Sequence, residues 1–205
     1  MPRHALTDDD VIRFRKTIQS AAAKIVGAGG LAQLSMRGLA DSLGITAGAL
    51  YRYYPSKQEL IIDFCRDAIN DLQRRLHDVE ETVEDPLQAI RLMLKAYAEF
   101  GLEDRDRFRM LFLENDQGLT MPLMQNEETL LPYLRLEAQI SKAVSMTLIE
   151  TSTPQNATQI VWGAVHGLVT LFCTMKDFNF GDVNQLLDEM IEIVIHGLST
   201  KEVSS

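Results

Sequence analysis

Apolar residues recur along this chain every three or four positions and almost nowhere in strict alternation, so it reads as helical nearly throughout. Val11, Phe14, Ile18, Ala21, Ala22 and Ile25 form a first stripe. Thr7, followed by Asp8, Asp9 and Asp10, marks the start of that helix, where acidic side chains meet its positive end. GAGG at 27–30 stops it, with Gly29 or Gly30 free to take a left-handed cap. Ser35 caps a second helix, MRGLADSLG, which ends at Gly44. Thr46 caps a third, AGALYRYY, which Pro55 ends. Ser56 with Glu59 three residues on predicts a capping box for a fourth helix running to about Glu80.

Longer helices follow. Asp85-Pro86 opens one that reaches about Leu102, and a charged joint, EDRDR, leads into FRMLFLEN. Further helices are predicted over 125–150, 154–175 and 182–199, separated by GLTMP, TSTP and DFNFGD. The expectation is an all-α protein of about nine helices with no internal repeat.

The two short helices joined by a tight turn predict a helix-turn-helix unit. Leu39, Ala40 and Leu43 share the inner face of the first, and Ala40 is small where the second must cross. Gly44 supplies the positive φ of the turn, with Ile45 packed beneath it. Leu50 and Tyr54, four apart, face inward, and Tyr54 is read as core. Thr46, Ala47, Gly48, Tyr51, Arg52 and Tyr53 are left facing outward. Small residues at a helix start let its backbone approach a duplex, tyrosine hydroxyls donate to phosphates, and Arg52 can read a base edge, guanine best. Lys57, in the first turn of the next helix, adds a charge to that helix's positive end.

Charge sharpens this picture. The net charge is −9, yet residues 1–60 hold eight Lys/Arg against five Asp/Glu, and residues 61–205 hold twelve against twenty-four. A basic end on an acidic body fits a nucleic-acid-facing segment. The two cysteines, Cys65 and Cys173, sit in apolar helical patterns and read as buried thiols of a reducing cytoplasm. The N-terminus lacks a signal peptide's apolar run, and no stretch reaches eighteen uninterrupted apolar residues, so neither export nor a membrane partner is expected.

The stretch SMRGLADSLGITAGALYRYYPSKQEL resembles the DNA-binding domain of tetracycline-repressor (TetR) family transcriptional regulators across residues 10–62. Its Leu-Ala, Leu-Gly-Ile-Thr, Gly-x-Leu-Tyr and Lys-x-x-Leu elements fall at that family's spacing. The resemblance implies a DNA-binding domain over 1–56 and an effector-binding and dimerisation domain over 57–205. It also implies DNA contacts from Ser35, Arg37, Thr46, Ala47, Gly48, Tyr51, Arg52, Tyr53 and Lys57. Ala47 and Ala49 carry no hydrogen-bonding group and can meet a thymine methyl at most, which leaves Arg52 as the main specific reader. WGAVHGLV, 162–169, resembles a Trp…His-Gly element in the second domain of one subset of the family.

The helices at 154–175 and 182–199 are apolar around most of their circumference and need cover on two sides. Their own domain supplies one side, and a second copy is expected to supply the other, through Trp162, Val165, Val169, Leu187, Ile191 and Val194. Gly163 and Gly167 would permit close approach. The bulky or adaptable candidates for an effector site are Met93, Tyr97, Phe100, Met110, Phe112, Trp162, His166 and Phe172, implying a largely hydrophobic ligand. The same residue types at helical spacing also serve as plain core. No cofactor or metal is expected, since His4, His77, His166 and His196 are scattered, and neither a phosphate loop nor a nucleophile elbow occurs.

The reading is a non-enzymatic, cytoplasmic homodimer that binds a palindromic duplex operator, a repressor released by a small molecule. Two rivals remain: a DNA-binding protein of this fold acting in chromosome architecture or cell division without an effector, and a helical-bundle enzyme.

Overall fold

Thr7 starts the first helix with a reciprocal cap: its hydroxyl accepts from the Asp10 N–H at 3.2 Å, and the Asp10 carboxylate accepts from the Thr7 N–H at 3.1 Å. The computed structural model describes residues 7–113, 127–175 and 177–199. Its helices are α1 (Asp8–Gly29), α2 (Met36–Ser42), α3 (Ala47–Tyr51), α4 (Lys57–Thr82), α5 (Pro86–Glu103), α6 (Arg105–Phe108), α7 (Glu127–Ser145), α8 (Pro154–Thr174) and α9 (Val183–Leu198). A 3-10 turn at Leu31–Gln33 follows α1, and a π-helical turn at Arg109–Leu113 continues α6. The all-α expectation holds, with local start signals where the sequence put them. Ser35, Thr46, Ser56, Asp85 and Thr153 each accept a backbone N–H three residues on.

The described chain falls into two compact units. The first holds residues 7–68 and 105–113, and the second holds 69–104, 127–175 and 177–199. The boundary expected at 56/57 is the start of α4, whereas the units divide within α4, between Ala68 and Ile69.

In the N-terminal unit Ile18, Ala22, Val26, Leu39, Ala40, Leu50, Tyr54 and Leu60 are fully covered. Burying each large aliphatic side chain is worth about 1.5–3 kcal/mol. Gly44 turns the chain between α2 and α3 at φ +67°, and the Ile45 N–H donates back to the Ala40 carbonyl at 3.0 Å. One expectation changes. The charged joint at 103–107 is helical from Arg105, and Asp106 presses so closely on α1 that a Cβ on Gly27 would sit 1.9 Å from its carboxylate oxygen. A glycine in the helix permits that approach.

In the C-terminal unit α5 packs against α7, α8 and α9. Ile90, Met93 and Leu94 are buried with Ile140, Val161, Val165, Val169, Leu187, Ile191 and Ile195. Ion pairs from Arg91 to Glu192 (2.7 Å) and Lys95 to Asp188 (2.8 Å) tie α5 to α9 at the surface, where such pairs contribute little each. Helix α8 is long and apolar enough by composition to cross a membrane, and it is also the helix packed among α5, α7 and α9. The predicted break GLTMP and the first residues of the helix expected from 125 lie outside the described residues.

Candidate nucleic-acid interface

Helix α3 has five residues, and only Leu50 among them is buried. Gly48 and Tyr51 are exposed, and Ala47 and Ala49 are half-buried. Tyr51 is 49% exposed and Arg52 is exposed. Gly48 faces open space: a Cβ there would meet nothing within 4 Å. A small residue at an open helix start is what close approach to a phosphate backbone requires. The hydroxyls of Ser35 and Thr46 accept from the Gly38 and Ala49 N–H groups at 3.1 and 3.2 Å. Each hydroxyl keeps its own proton for donation outward. Arg37 is exposed, and Ala47 half-buried.

Two of the expected contact residues have structural duties that the sequence did not disclose. Tyr53 is half-buried, with its ring tilted against Phe14 at 4.9 Å. The Lys57 ammonium donates to the Leu31 carbonyl at 2.9 Å, so it fastens the 3-10 turn to the start of α4. An ammonium has three donors, so one bond to a carbonyl leaves two others.

Just behind α3, Tyr54 is fully buried and its hydroxyl donates to the Asp63 carboxylate at 2.7 Å. Burial pushes that phenol up to about 12. Arg15 lies over the Tyr54 ring at 4.6 Å and pairs with Asp63 at 3.2 Å, and Gln19 donates to Asp63 and Asp67 at 3.2 and 3.1 Å. Sequence reasoning missed this cluster. Its one available signal was a buried glutamine and two aspartates in helices otherwise sorted by their apolar stripes.

Of the effector candidates, the C-terminal unit brings three together. The Tyr97 hydroxyl and Nδ1 of His166 share a 2.6 Å hydrogen bond, and the Trp162 ring lies 5.2 Å from the His166 ring. Tyr133, not singled out by sequence, stands edge-on to Trp162 at 6.1 Å. Burial raises the Tyr97 phenol and lowers the His166 imidazole from its ordinary 6.5, so both are neutral near pH 7. Met93 and Phe100 are buried in α5, and Phe172 meets Phe180 edge to face at 4.8 Å. Met110 and Phe112 lie instead in the π-helical turn of the N-terminal unit, where Phe112 meets Phe108 at 5.0 Å.

The expected pairing face needs correction. Val165, Val169, Leu187 and Ile191 are buried within their own chain, and Trp162 and Val194 are half-buried. The stronger apolar stripe of each helix turned inward toward the unit's own core. The outward stripes are Ile160, Gly163, Gly167 and Leu171 on α8, and Leu186, Met190, Ile193 and Gly197 on α9. Ile160 is 54% exposed and Ile193 71%. Added Cβ atoms at Gly163, Gly167 and Gly197 would meet nothing within 4 Å.

Residues 18–64 match the profile described as "Bacterial regulatory proteins, tetR family". The chain is 29% identical over 106 residues to the HTH-type transcriptional repressor KstR2 of Mycolicibacterium smegmatis, a match spanning 52% of this chain and 51%, about half, of that protein. It is 26% identical over 178 residues to the nucleoid occlusion factor SlmA of Vibrio vulnificus, covering 82% of this chain and 87% of that one. Among solved structures, the transcriptional regulator FadR from Bacillus subtilis, in complex with stearoyl-CoA, superposes with a TM-score of 0.74 at 17% identity, covering 89% of this chain and 98% of that chain.

A histidine whose folded pKa is depressed stabilises the fold above its unfolded pKa, and that stability is lost as pH falls toward the folded value. Melting temperature followed from about pH 7.5 to about pH 5 should therefore fall further for the wild-type chain than for His166→Gln. Parallel curves would show that this imidazole is not linked to folding.

Proposed function

This chain belongs to the TetR family of bacterial regulatory proteins through residues 18–64, and from that premise we propose that it is a dimeric repressor of transcription, released from its operator by a small, largely apolar effector. The observation that carries the DNA reading is the open face of α3: Gly48, Tyr51 and Arg52 stand exposed on a helix whose one buried residue is Leu50. Ser35, Arg37, Thr46, Ala47 and Tyr53 flank that face. Lys57 adds charge beside it while holding the Leu31 turn. A protein of this kind acts where the chromosome is, in the cytoplasm.

Dimerisation rests on the outward stripes of α8 and α9. Together they expose Ile160, Leu171 and Ile193, with glycines between them that let another helix close in. Pairing those stripes about a twofold axis would build a four-helix interface and set two copies of α3 at a fixed separation. The half-sites of a palindrome would then lie about 34–36 Å apart or at a multiple of that spacing.

The effector reading is supported by the Tyr97–Trp162–His166 cluster, a neutral donor–acceptor set in apolar surroundings. A FadR structure of the same fold holds stearoyl-CoA, which is consistent with an apolar ligand for this architecture. Helix α4 runs unbroken from Lys57 to Thr82 and contributes residues to both units, so it is the element through which a ligand would act on α3. Such coupling requires the ligand to favour the state that does not fit the operator. A second reading, a chromosome- or division-associated DNA-binding protein without an effector, draws on the SlmA match, which extends beyond the DNA-binding residues. The two readings part on whether any small molecule releases DNA.

Selection of duplexes from the source genome by the full chain should enrich a palindrome. On that duplex Arg52→Ala should cost about 1–3 kcal/mol and relax preference at one base pair per half-site. Equal losses on specific and random DNA would remove Arg52 from base reading. For the interface, Ile193→Glu should sediment as a folded monomer with weakened operator binding. A wild-type chain that is itself monomeric at micromolar concentration would overturn the dimer.

A further inference from the structure

We infer that Asp63 is a positioning residue for DNA reading, holding the recognition helix in register on its scaffold through the hydroxyl of Tyr54. The inference rests on the DNA-binding role proposed above and names a residue outside the exposed face. Its starting point is a mechanical weakness. Helix α3 is five residues long, and a helix of that length has no stability of its own. Leu50 anchors it in the core, but one aliphatic side chain sets depth more firmly than rotation, because apolar contact has no direction. Direction has to come from elsewhere.

It comes from the residues that follow. The Tyr53 and Tyr54 N–H groups both donate to the Leu50 carbonyl, at 2.9 and 3.1 Å, so the turn after α3 is bonded to α3 itself. Tyr54 is fully buried, and its hydroxyl ends on Asp63 Oδ2 at 2.7 Å. The same oxygen receives Arg15 at 3.2 Å and Gln19 at 3.2 Å, and Arg66 stands 3.8 Å from the other oxygen. Arg15 also caps the face of the Tyr54 ring. One carboxylate on α4 thus gathers donors from α1, from α4 and from the end of the recognition segment. Hydrogen bonds to an ionised acceptor are short and directional, and this one fixes the Tyr54 ring, and with it α3, relative to both α1 and α4.

Two kinds of DNA binding respond differently to the loss of such a clasp. Sequence-independent binding follows charge and tolerates a changed pose. Base readout needs donors and acceptors in register with base edges. A slackened α3 should therefore lose sequence preference while keeping its general hold on DNA. The charge of Asp63 sharpens the contrast, because Asp63→Asn removes a negative charge and should leave random-duplex binding equal or tighter. Tyr54→Phe removes one oxygen and changes no charge.

The test uses the full chain, a duplex enriched from a random-sequence library by the wild type, and a scrambled duplex of the same composition. Affinities are measured at a temperature where circular dichroism shows each variant folded. Both Asp63→Asn and Tyr54→Phe should bind the enriched duplex about ten-fold more weakly or worse, the scale of one lost hydrogen bond to a charged group. The scrambled duplex should be held as well as by the wild type. The double variant should lose less than the two single losses combined, since both changes act on one link. If Asp63→Asn does not fold, Tyr54→Phe decides. An unchanged preference in the folded variants, or parallel losses on both duplexes, would overturn the positioning role while leaving the DNA-binding reading intact. A wild-type chain that enriches no sequence would overturn both.

Discussion

A recognition helix of barely more than one turn depends on what surrounds it. Leu50 buries into the unit's core, Gly44 turns the chain into it at φ +67°, and Thr46 closes its first turn. The Tyr54–Asp63–Arg15 cluster behind it joins α1, α4 and the segment that follows α3 through one carboxylate. These constraints leave Gly48, Tyr51 and Arg52 exposed on the face that is proposed to meet DNA. Most of the N-terminal unit can be understood as scaffold for those few side chains, including Lys57, whose ammonium holds the Leu31 turn.

The second unit solves a different problem. Helices α8 and α9 each carry more apolar surface than one core can cover. The fold buries Val161, Val165, Val169 and Phe172 on one helix and Leu187, Ile191 and Ile195 on the other, and leaves Ile160, Leu171 and Ile193 outside. Ile160 and Leu171 lie on one outward stripe of α8, and Ile193 on one of α9. The second copy proposed to cover them would account for both stripes, and for Gly163 and Gly167 on α8 and Gly197 on α9.

Local signals were legible in the sequence, and choices between equivalent faces were not. Caps at Thr7, Ser35, Thr46, Ser56 and Asp85 could be read because each is a contact between residues close in sequence. The helix-turn-helix was legible for the same reason, and Leu50 and Tyr54 face inward as their spacing implied. Periodicity could not tell which of two apolar stripes on α8 and α9 turns inward, since both satisfy the same 3.6-residue repeat. Val165, Val169, Leu187 and Ile191 were assigned outward on that ground and are buried. The helical start at Arg105 was hidden by its charge. The close approach of Asp106 to Gly27 on α1, a contact between residues far apart in sequence, was hidden as well. The Asp63 cluster was hidden because polar residues between stripes read as solvated surface.

Two copies of α3, fixed by pairing of α8 and α9, are proposed to read one duplex together. Sedimentation of the chain titrated onto its enriched palindromic duplex tests this most directly. Protomers should bind in even numbers, no complex of one chain per duplex should accumulate, and deleting one half-site should abolish high-affinity binding to that duplex. A stable complex of one chain per duplex that keeps the full sequence preference would contradict that proposal.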